Sequence, residues 1–311
     1  MMRSLWPLSF MKRGSSGGGG GGGSSPYGSH IAWRVKINSS IDPAAVNHTG
    51  IREAEFRDAV GGVDLATGGT AFQGGPGSDF GNGVNAPWDG NSSNIWARSD
   101  SSGFGMFFGY MWATPKAVWE VAMTCASPEA APLDWEFQYS DNTTNGTDGT
   151  WTTAFTAWEP SWSADGAVRV WPQAPAAGQY KAYRINVSAS NDASFTLIQE
   201  VEMRATVGGA DQCNGGRAWG SQNNTNEDAG KAFDNTDGNN YDLHIPVTGW
   251  LAYGFAVPVG VAQYTVRCNN TNSRTPKDWT FEGSNDGATW TSLNSQTNQT
   301  WSVPETKSFT I

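Results

Sequence analysis

Charge is scarce in this chain: only 15% of its 311 residues are Asp, Glu, Lys or Arg. Basic residues are scarcer still, 19 Lys and Arg against 29 Asp and Glu, for a net charge of −10. With no basic surface to offset phosphate charge, the composition argues against nucleic acid as a partner. It equally disfavours electrostatic attachment to anionic membranes. Histidine is nearly absent. The three present, His30 in a linker, His48 and His244, stand in no HExxH pattern and no recognisable triad setting, which leaves catalysis little support. The acidic pairs Glu53/Glu55 and Glu200/Glu202 alternate along strands, so each pair shares one face and does not oppose across a glycosidase cleft. Arg57 and Arg204 read as strand-end partners for those acids. Cysteine is limited to Cys125, Cys213 and Cys268, with no CxxC spacing; an odd count gives no disulfide framework, so stability must come from packed cores. Long apolar runs and capped helical periods are missing as well.

What the chain does contain is glycine (39), tryptophan (16) and many Asn, Ser and Thr, the make-up of a loop-rich all-β protein. Residues 14–29, GSSGGGGGGGSSPYGS, read as a flexible linker spanning roughly 20–25 Å, because a run of glycines holds neither helix nor strand. Ahead of it lies MMRSLWPLSFMKR, residues 1–13. Its apolar run is short, is broken by Pro7 and lacks a small-residue cleavage site, unlike a signal peptide. It is either a disordered tail or, in the sharper reading, a docking peptide that moors the chain to a larger assembly.

Nearly everything after the linker is present twice. AWRVKIN (32–38) matches AYRINVS (182–188), and IREAEFR (51–57) matches IQEVEMR (198–204). FFGYMWATPKAV (107–118) matches WLAYGFAVPVGV (250–261) at an offset of 143, which also superimposes Cys125 on Cys268. PLDWEFQYSDNTTNGTDGTW (132–151) is a looser copy of PKDWTFEGSNDGATW (276–290). Two copies of one module are therefore expected, 30–178 and 179–311, behind an N-terminal arm of 1–29. Short apolar–polar alternations such as VKI, AEF, WEFQY and YTVRC, bounded by Gly, Asn, Asp and Pro, predict antiparallel sandwiches of jelly-roll type. The paired cysteines fall mid-strand, as buried, inert thiols. Asn-Ser/Thr triplets, including those at 38–40, 91–93 and 142–144, carry little weight in a chain so rich in these residues.

Taken together, YRI…QEVEMR, the Asp-Gly-Asn loop, PKDWTFEGSNDGATW and the closing FTI resemble the discoidin, or coagulation-factor C-type, domain, a galactose-binding-like jelly roll. The resemblance covers about 280 residues and is better in the second copy. It implies binding modules, not enzymes, whose loops at one end take glycans or lipid head groups. One departure stands out: in the family the YRI and EVEMR strands come last, whereas here they also open the folded part. Either each copy is a permuted sandwich, or residues 66–205 form a domain in family order and 31–57 complete the C-terminal module or a neighbour's.

The loop WDGNSSNIW (88–96) offers Asp89 and Asn91 at i and i+2, Asn94 as a third oxygen and Gly90 for the turn, a hard-donor set that suits Ca²⁺. The resemblance adds a glutamate closing the site, Glu53 or Glu200 depending on how the sandwiches close. The second copy offers Asp234, Asp237 and Asn239. Such a calcium ion would be structural; the bland alternative is an Asx-turn without metal. Trp135, Trp151, Trp279 and Trp290 recur at equivalent positions and are expected in the core. Trp88, Trp96, Trp158, Trp171, Trp219 and Tyr241 lie in or beside polar loops as candidate sugar platforms, with Arg98, Arg217, Asn223, Asn224 and His244 as hydrogen-bonding partners. The expectation is a virion component, a bacteriophage decoration, fibre or tail protein. It would be docked to virion structural proteins through residues 1–13 and would bind cell-surface glycans, with self-association into a homo-oligomer allowed. A secreted, extracellular lectin or adhesin and a purely structural cement protein are the alternatives. Two tethered copies would bind with avidity.

Overall fold

The computed structural model describes residues 25, 27–41, 48–99, 105–172, 176–222, 227–236, 238–268 and 273–311. The expected docking peptide 1–13, most of the linker, and the candidates Asn223, Asn224 and Asp237 lie outside these residues. Among the described residues there are twenty strands, two short 3-10 turns and no α-helix. The chain is all-β, as its composition requires.

Strand pairing falls into two sets. In the first, β1 (His30–Ser40) is the centre of a five-stranded antiparallel sheet. Its neighbours are β6 (Met106–Lys116) and β8 (Pro132–Ser140), with β3 (Thr70–Gly74) and β9 (Thr152–Trp158) at the edges. The opposing sheet centres on β2 (His48–Arg57), between β7 (Glu120–Cys125) and β5 (Trp96–Ser99), with β10 (Val168–Trp171) and β4 (Ser78–Asp79) outside. The second set repeats the plan. A front sheet runs β14 (Arg217–Gly220), β16 (Gly249–Gly260), β11 (Gln179–Ser190), β18 (Pro276–Ser284) and β19 (Thr291–Gln296). Behind it, β12 (Phe195–Ile198) pairs with β15 (Tyr241–His244), while β13 (Glu200–Arg204) pairs with β17 (Gln263–Cys268) and β17 with β20 (Glu305–Thr310). Each set thus closes on its own opening strands, β1 and β2 or β11 to β13. Residues 30–57 pair within the first set, not with the C-terminal one.

Period-two alternation sets which side chains face inward. Trp33, Val35 and Ile37 of β1 meet Ile51, Ala54 and Phe56 of β2 in one core. Tyr183, Ile185 and Val187 meet Ile198, Val201 and Met203 in the other. Each fully buried aromatic there contributes about 2–3 kcal/mol. All three cysteines are free and buried, and burial raises each thiol's pKa.

The folded part begins earlier than the linker reading allowed. Ser25 Oγ donates to the Val118 carbonyl at 2.9 Å, and the Tyr27 ring meets Trp33 and Phe155. His30, read as linker, opens β1 and stacks on Tyr139 at 3.6 Å. Between the two sets, Glu159, 1% exposed, accepts from Trp171 Nε1 at 2.6 Å and from Lys181 Nζ at 2.5 Å. Lys181 also donates to the Trp158 carbonyl at 2.8 Å. A buried ion pair therefore joins the two halves.

Candidate functional site

The same loop cluster is built twice. In the first half, the register of β2 slips between Ile51 and Glu53, so that Ile51 faces Cys125 and Glu53 faces Thr124. A bulge of this kind re-aims the side chain that follows it. In the second half the strand breaks outright at Gln199, whose N–H bonds the Arg267 carbonyl while Glu200 also pairs with Arg267. Both glutamates thereby face a turn on the neighbouring loop.

Those turns share the same carboxylate pairing. Asp89 Oδ1 accepts from Asn91 N at 2.8 Å and Asp89 Oδ2 from Asn94 Nδ2 at 2.6 Å. Asp234 Oδ1 accepts from Thr236 N at 3.0 Å and Asp234 Oδ2 from Asn239 Nδ2 at 2.9 Å. The residue after each aspartate is left-handed, Gly90 at φ +69° and Asn235 at φ +56°. Glycine meets this without strain and Asn is the tolerated substitute. A 3-10 turn leads into each: Ala86–Trp88 and Ala229–Ala232.

The glutamates carry the unusual electrostatics. Burial, then the nearby Asp89 charge, pushes Glu53 up to about 7 against the opposing pull of the Gly90 amide. Burial and Asp234 push Glu200 up to about 8. Glu53 Oε1 and both carboxylate oxygens of Glu200 are buried without a hydrogen-bond partner. Each glutamate has one backbone amide beside it, Gly90 or Asn235, and a buried carboxylate so short of donors is costly unless it is protonated or meets a cation. Clefts of about 370 Å³ beside Glu53, Glu55, Arg57 and Thr124, and about 170 Å³ beside Glu200, Glu202, Thr265 and Arg267, open at equivalent places.

The cluster fits a hard cation in part. Orphaned glutamate oxygens suit Ca²⁺, while the Asp89 and Asp234 oxygens already close Asx-turns. Among the described residues no three Asp, Glu, His or Cys side chains converge, so an ion there would need amide or carbonyl oxygens as well. Asn91 Oδ1 is turned to Ser93 N at 3.1 Å.

The aromatic candidates scatter. Trp96 (1% exposed) and Tyr241 (0%) are core residues, so neither can offer a ring face to a ligand. Trp96 Nε1 is held by Gln73, and the Tyr241 hydroxyl donates to the Trp250 carbonyl. Trp171 is equally buried. Trp88 wedges against Phe56, Phe108 and Tyr110 at the core rim. Arg98 is buried and spent on the Gly75 and Gly77 carbonyls and Asp79. Polar neighbours in sequence suggest a surface position for these side chains, but the strands carrying Trp96, Arg98, Trp171 and Tyr241 turn them inward and the 3-10 turn at Trp88 sets its ring on the core rim. Trp219 is half-exposed, with Arg217 at 5.3 Å from its ring and Trp158 edge-on at 6.3 Å. His244 is exposed and stacks on Phe195, which Arg274 covers from 4.4 Å. Of the four repeated tryptophans, Trp135 and Trp279 are core, whereas Trp151 and Trp290 are only half-buried and lie over Arg34 and Arg184. Trp250, absent from the candidates, is also half-exposed. The alternation in WLAYGF, with Leu251, Tyr253 and Phe255 buried, would have placed it outward.

Comparison with protein-family models, with curated proteins and with solved structures finds no match.

Proposed function

We propose that the chain is a non-enzymatic virion component, a bacteriophage decoration, fibre or tail protein. In this reading it displays two discoidin-like jelly-roll modules in tandem for adhesion to neutral cell-surface glycans. One observation carries the reading: two copies of one sheet plan are joined by the buried Glu159–Lys181 pair, which holds two like surfaces at a fixed spacing. Fixed spacing makes the second contact intramolecular and raises avidity. The resemblance of PKDWTFEGSNDGATW and EVEMR to discoidin-type domains supports it, as do the low charge and the half-exposed tryptophans. Residues 1–13 would supply the mooring to the particle. Calcium would be structural, held at one cluster by Glu53, Asp89 and Asn94 and at the other by Glu200, Asp234 and Asn239, where it neutralises the crowded carboxylates.

A second reading is cement between particle subunits. It is favoured by isolated apolar side chains that protrude: Phe80 at 56% exposure, Val207 at 64% and Val257 at 54%. Binding of the purified protein to host cells separates the two. Stacking and hydroxyl contacts should survive 0.5 M NaCl, whereas charge-driven binding fades once screening cuts its reach below about 8 Å. Retained cell binding at high salt supports adhesion. Absence of cell binding by a protein that still assembles on its particle gives the cement reading.

A further inference from the structure

The outer faces of the two front sheets carry the same three-cornered aromatic arrangement, treated in opposite ways. In the first half Phe72, Phe107 and Trp151 surround Arg34, whose guanidinium lies 4.4 Å from the Phe107 ring and 3.9 Å from the Trp151 ring. Strand register identifies the counterparts. Phe72 and Arg34 both face Gly109, while Trp219 and Arg184 both face Ala252. Phe107 faces Lys36 just as Trp250 faces Asn186. Trp290 lies 4.2 Å from Arg184, as Trp151 lies over Arg34. All three corners are therefore tryptophan in the second half.

The roof differs. In the first half the loop from Ser140 to Trp151 folds over the aromatic cluster, and Gly146 rests on the Phe72 ring so closely that a Cβ there would overlap it. Phe72 and Phe107 end 5% and 8% exposed. Gly146 of this loop lies on Phe72, while Gly74 and the Arg34 guanidinium lie against Phe107. In the second half the equivalent loop, SNDGATW, is five residues shorter and stops at Gly287, which meets Trp158 instead. Trp219 and Trp250 are only half-buried where Phe72 and Phe107 are buried, while Trp290 matches Trp151 in its partial burial. Between the three indoles of the second half runs a fixed polar row: Glu282 accepts from Arg184 Nε at 2.5 Å, Thr280 Oγ1 at 2.6 Å and Asn186 Nδ2 at 3.3 Å. Trp158, edge-on to Trp219, and Pro160 against Gly254 close one end of the strip.

We infer that this outer sheet face of the second half, and not the loop ends, is the glycan-binding site. Trp219, Trp250 and Trp290 are the stacking walls, and Arg184, Asn186 and Glu282 take up hydroxyls. The first half shows such a face closed by the chain itself, with Gly146 of a polar loop lying on the Phe72 ring. Among the described residues the second half has no such loop over Trp250 and Trp290, and its indoles and polar row suit a polyhydroxylated ligand. Indoles stack on the apolar faces of pyranose rings, while the preset polar row fixes their orientation without ordering cost. The inference rests on the adhesion reading for its ligand, replaces the two-surface contact by a single site, and narrows adhesion to one face of the second half.

Affinity electrophoresis of the full chain in gels cast with galactan, mannan, xylan or β-glucan tests it. The wild type should be retarded by at least one polymer. Trp250→Ala should weaken that retardation by about thirtyfold, the usual loss of one central aromatic anchor. Replacing Asn285–Thr289 by residues 141–150, which grafts the longer roof and leaves every tryptophan in place, should abolish it; this variant decides the matter if Trp250→Ala fails to fold. Trp151→Ala, in the roofed half, should bind as the wild type does. Retardation unchanged in both Trp250→Ala and the graft overturns the site but leaves the adhesion reading standing. Retardation of the wild type by none of the four polymers overturns both. Binding of a synthetic 1–13 peptide that is lost in the same two variants, with glycan retardation intact, assigns the face to that peptide and overturns the inference.

Discussion

At the scale of single residues, Glu53, Glu200 and Asp242 are carboxyls that burial holds well above their ordinary values. Without a cation, folded Glu200 keeps its proton up to about 8, while the unfolded chain releases it near the ordinary value of 4.5. Between those values the native state binds more protons than the unfolded one, so this group's contribution to stability is full below pH 4.5 and is lost as pH rises toward 8. Glu53 adds the same effect over a narrower window, to about 7. In chelator the melting temperature is therefore expected to fall between about pH 5 and pH 8. Glu200→Gln, neutral throughout, should flatten the fall. Calcium should reverse it at the alkaline end, because an ion bound only to the native state stabilises it by about 2.7 kcal/mol at a hundredfold excess over Kd. A chelated protein whose melting is level across this range, and unmoved by millimolar calcium, would mean plain Asx-turns with no metal.

Among the elements, loop length decides what the two front sheets present. Gly146 sits at φ +82° with the Phe72 ring against it, so Gly146→Ala adds both left-handed strain and a clash. The expected cost is about 2–5 kcal/mol, from roughly 1–2 for the backbone and 1–3 for overpacking. Gly166→Ala, at φ +70° but in open space, should cost only the backbone share, about 1 kcal/mol. Urea unfolding of the two variants measures the difference. Equal midpoints would show that the loop does not press on Phe72 in solution. The bulge after Ile51 and the break at Gln199 belong to the same scale: each turns one glutamate toward its Asp loop, and the strand on either side keeps its inward residues.

For the molecule as a whole, the Glu159–Lys181 pair couples the two halves. Its side chains are 1% and 7% exposed, so breaking it leaves a buried carboxylate with Trp171 as its hydrogen-bond donor and the Arg169 charge nearby. Lys181→Met should destabilise the junction by about 3–5 kcal/mol. Calorimetry should then resolve two transitions where the wild type shows one. The double variant Glu159→Gln with Lys181→Met removes both charges and should recover most of the loss, since a well-packed neutral pair often equals a buried ionic one. Two transitions already present in the wild type would show that the halves unfold independently despite the pair.

Composition and alternation were enough to establish an all-β chain and the buried state of the paired Cys125 and Cys268. These follow from local rules: period two along a strand, and glycine, proline and asparagine at its ends. The Asp89 and Asp234 turns were legible for the same reason, since an Asx-turn is written within five residues. What the sequence left open, or misassigned, depended on contacts between distant segments. Whether 30–57 closes its own half was a question of which β-edge it meets, answered by the pairing of β1 with β6 and β8. Trp96 and Tyr241 sit among polar neighbours in sequence, yet the sheet turns them into the core. Trp151 and Trp290 repeat as core residues do, yet their loops lay them on an outer face over Arg34 and Arg184. The burial of Glu159 needed Trp171 and Lys181 to arrive from either side. Side-chain direction along a strand is a local property, but exposure depends on what the rest of the chain lays over that face, and only the tertiary structure decides that.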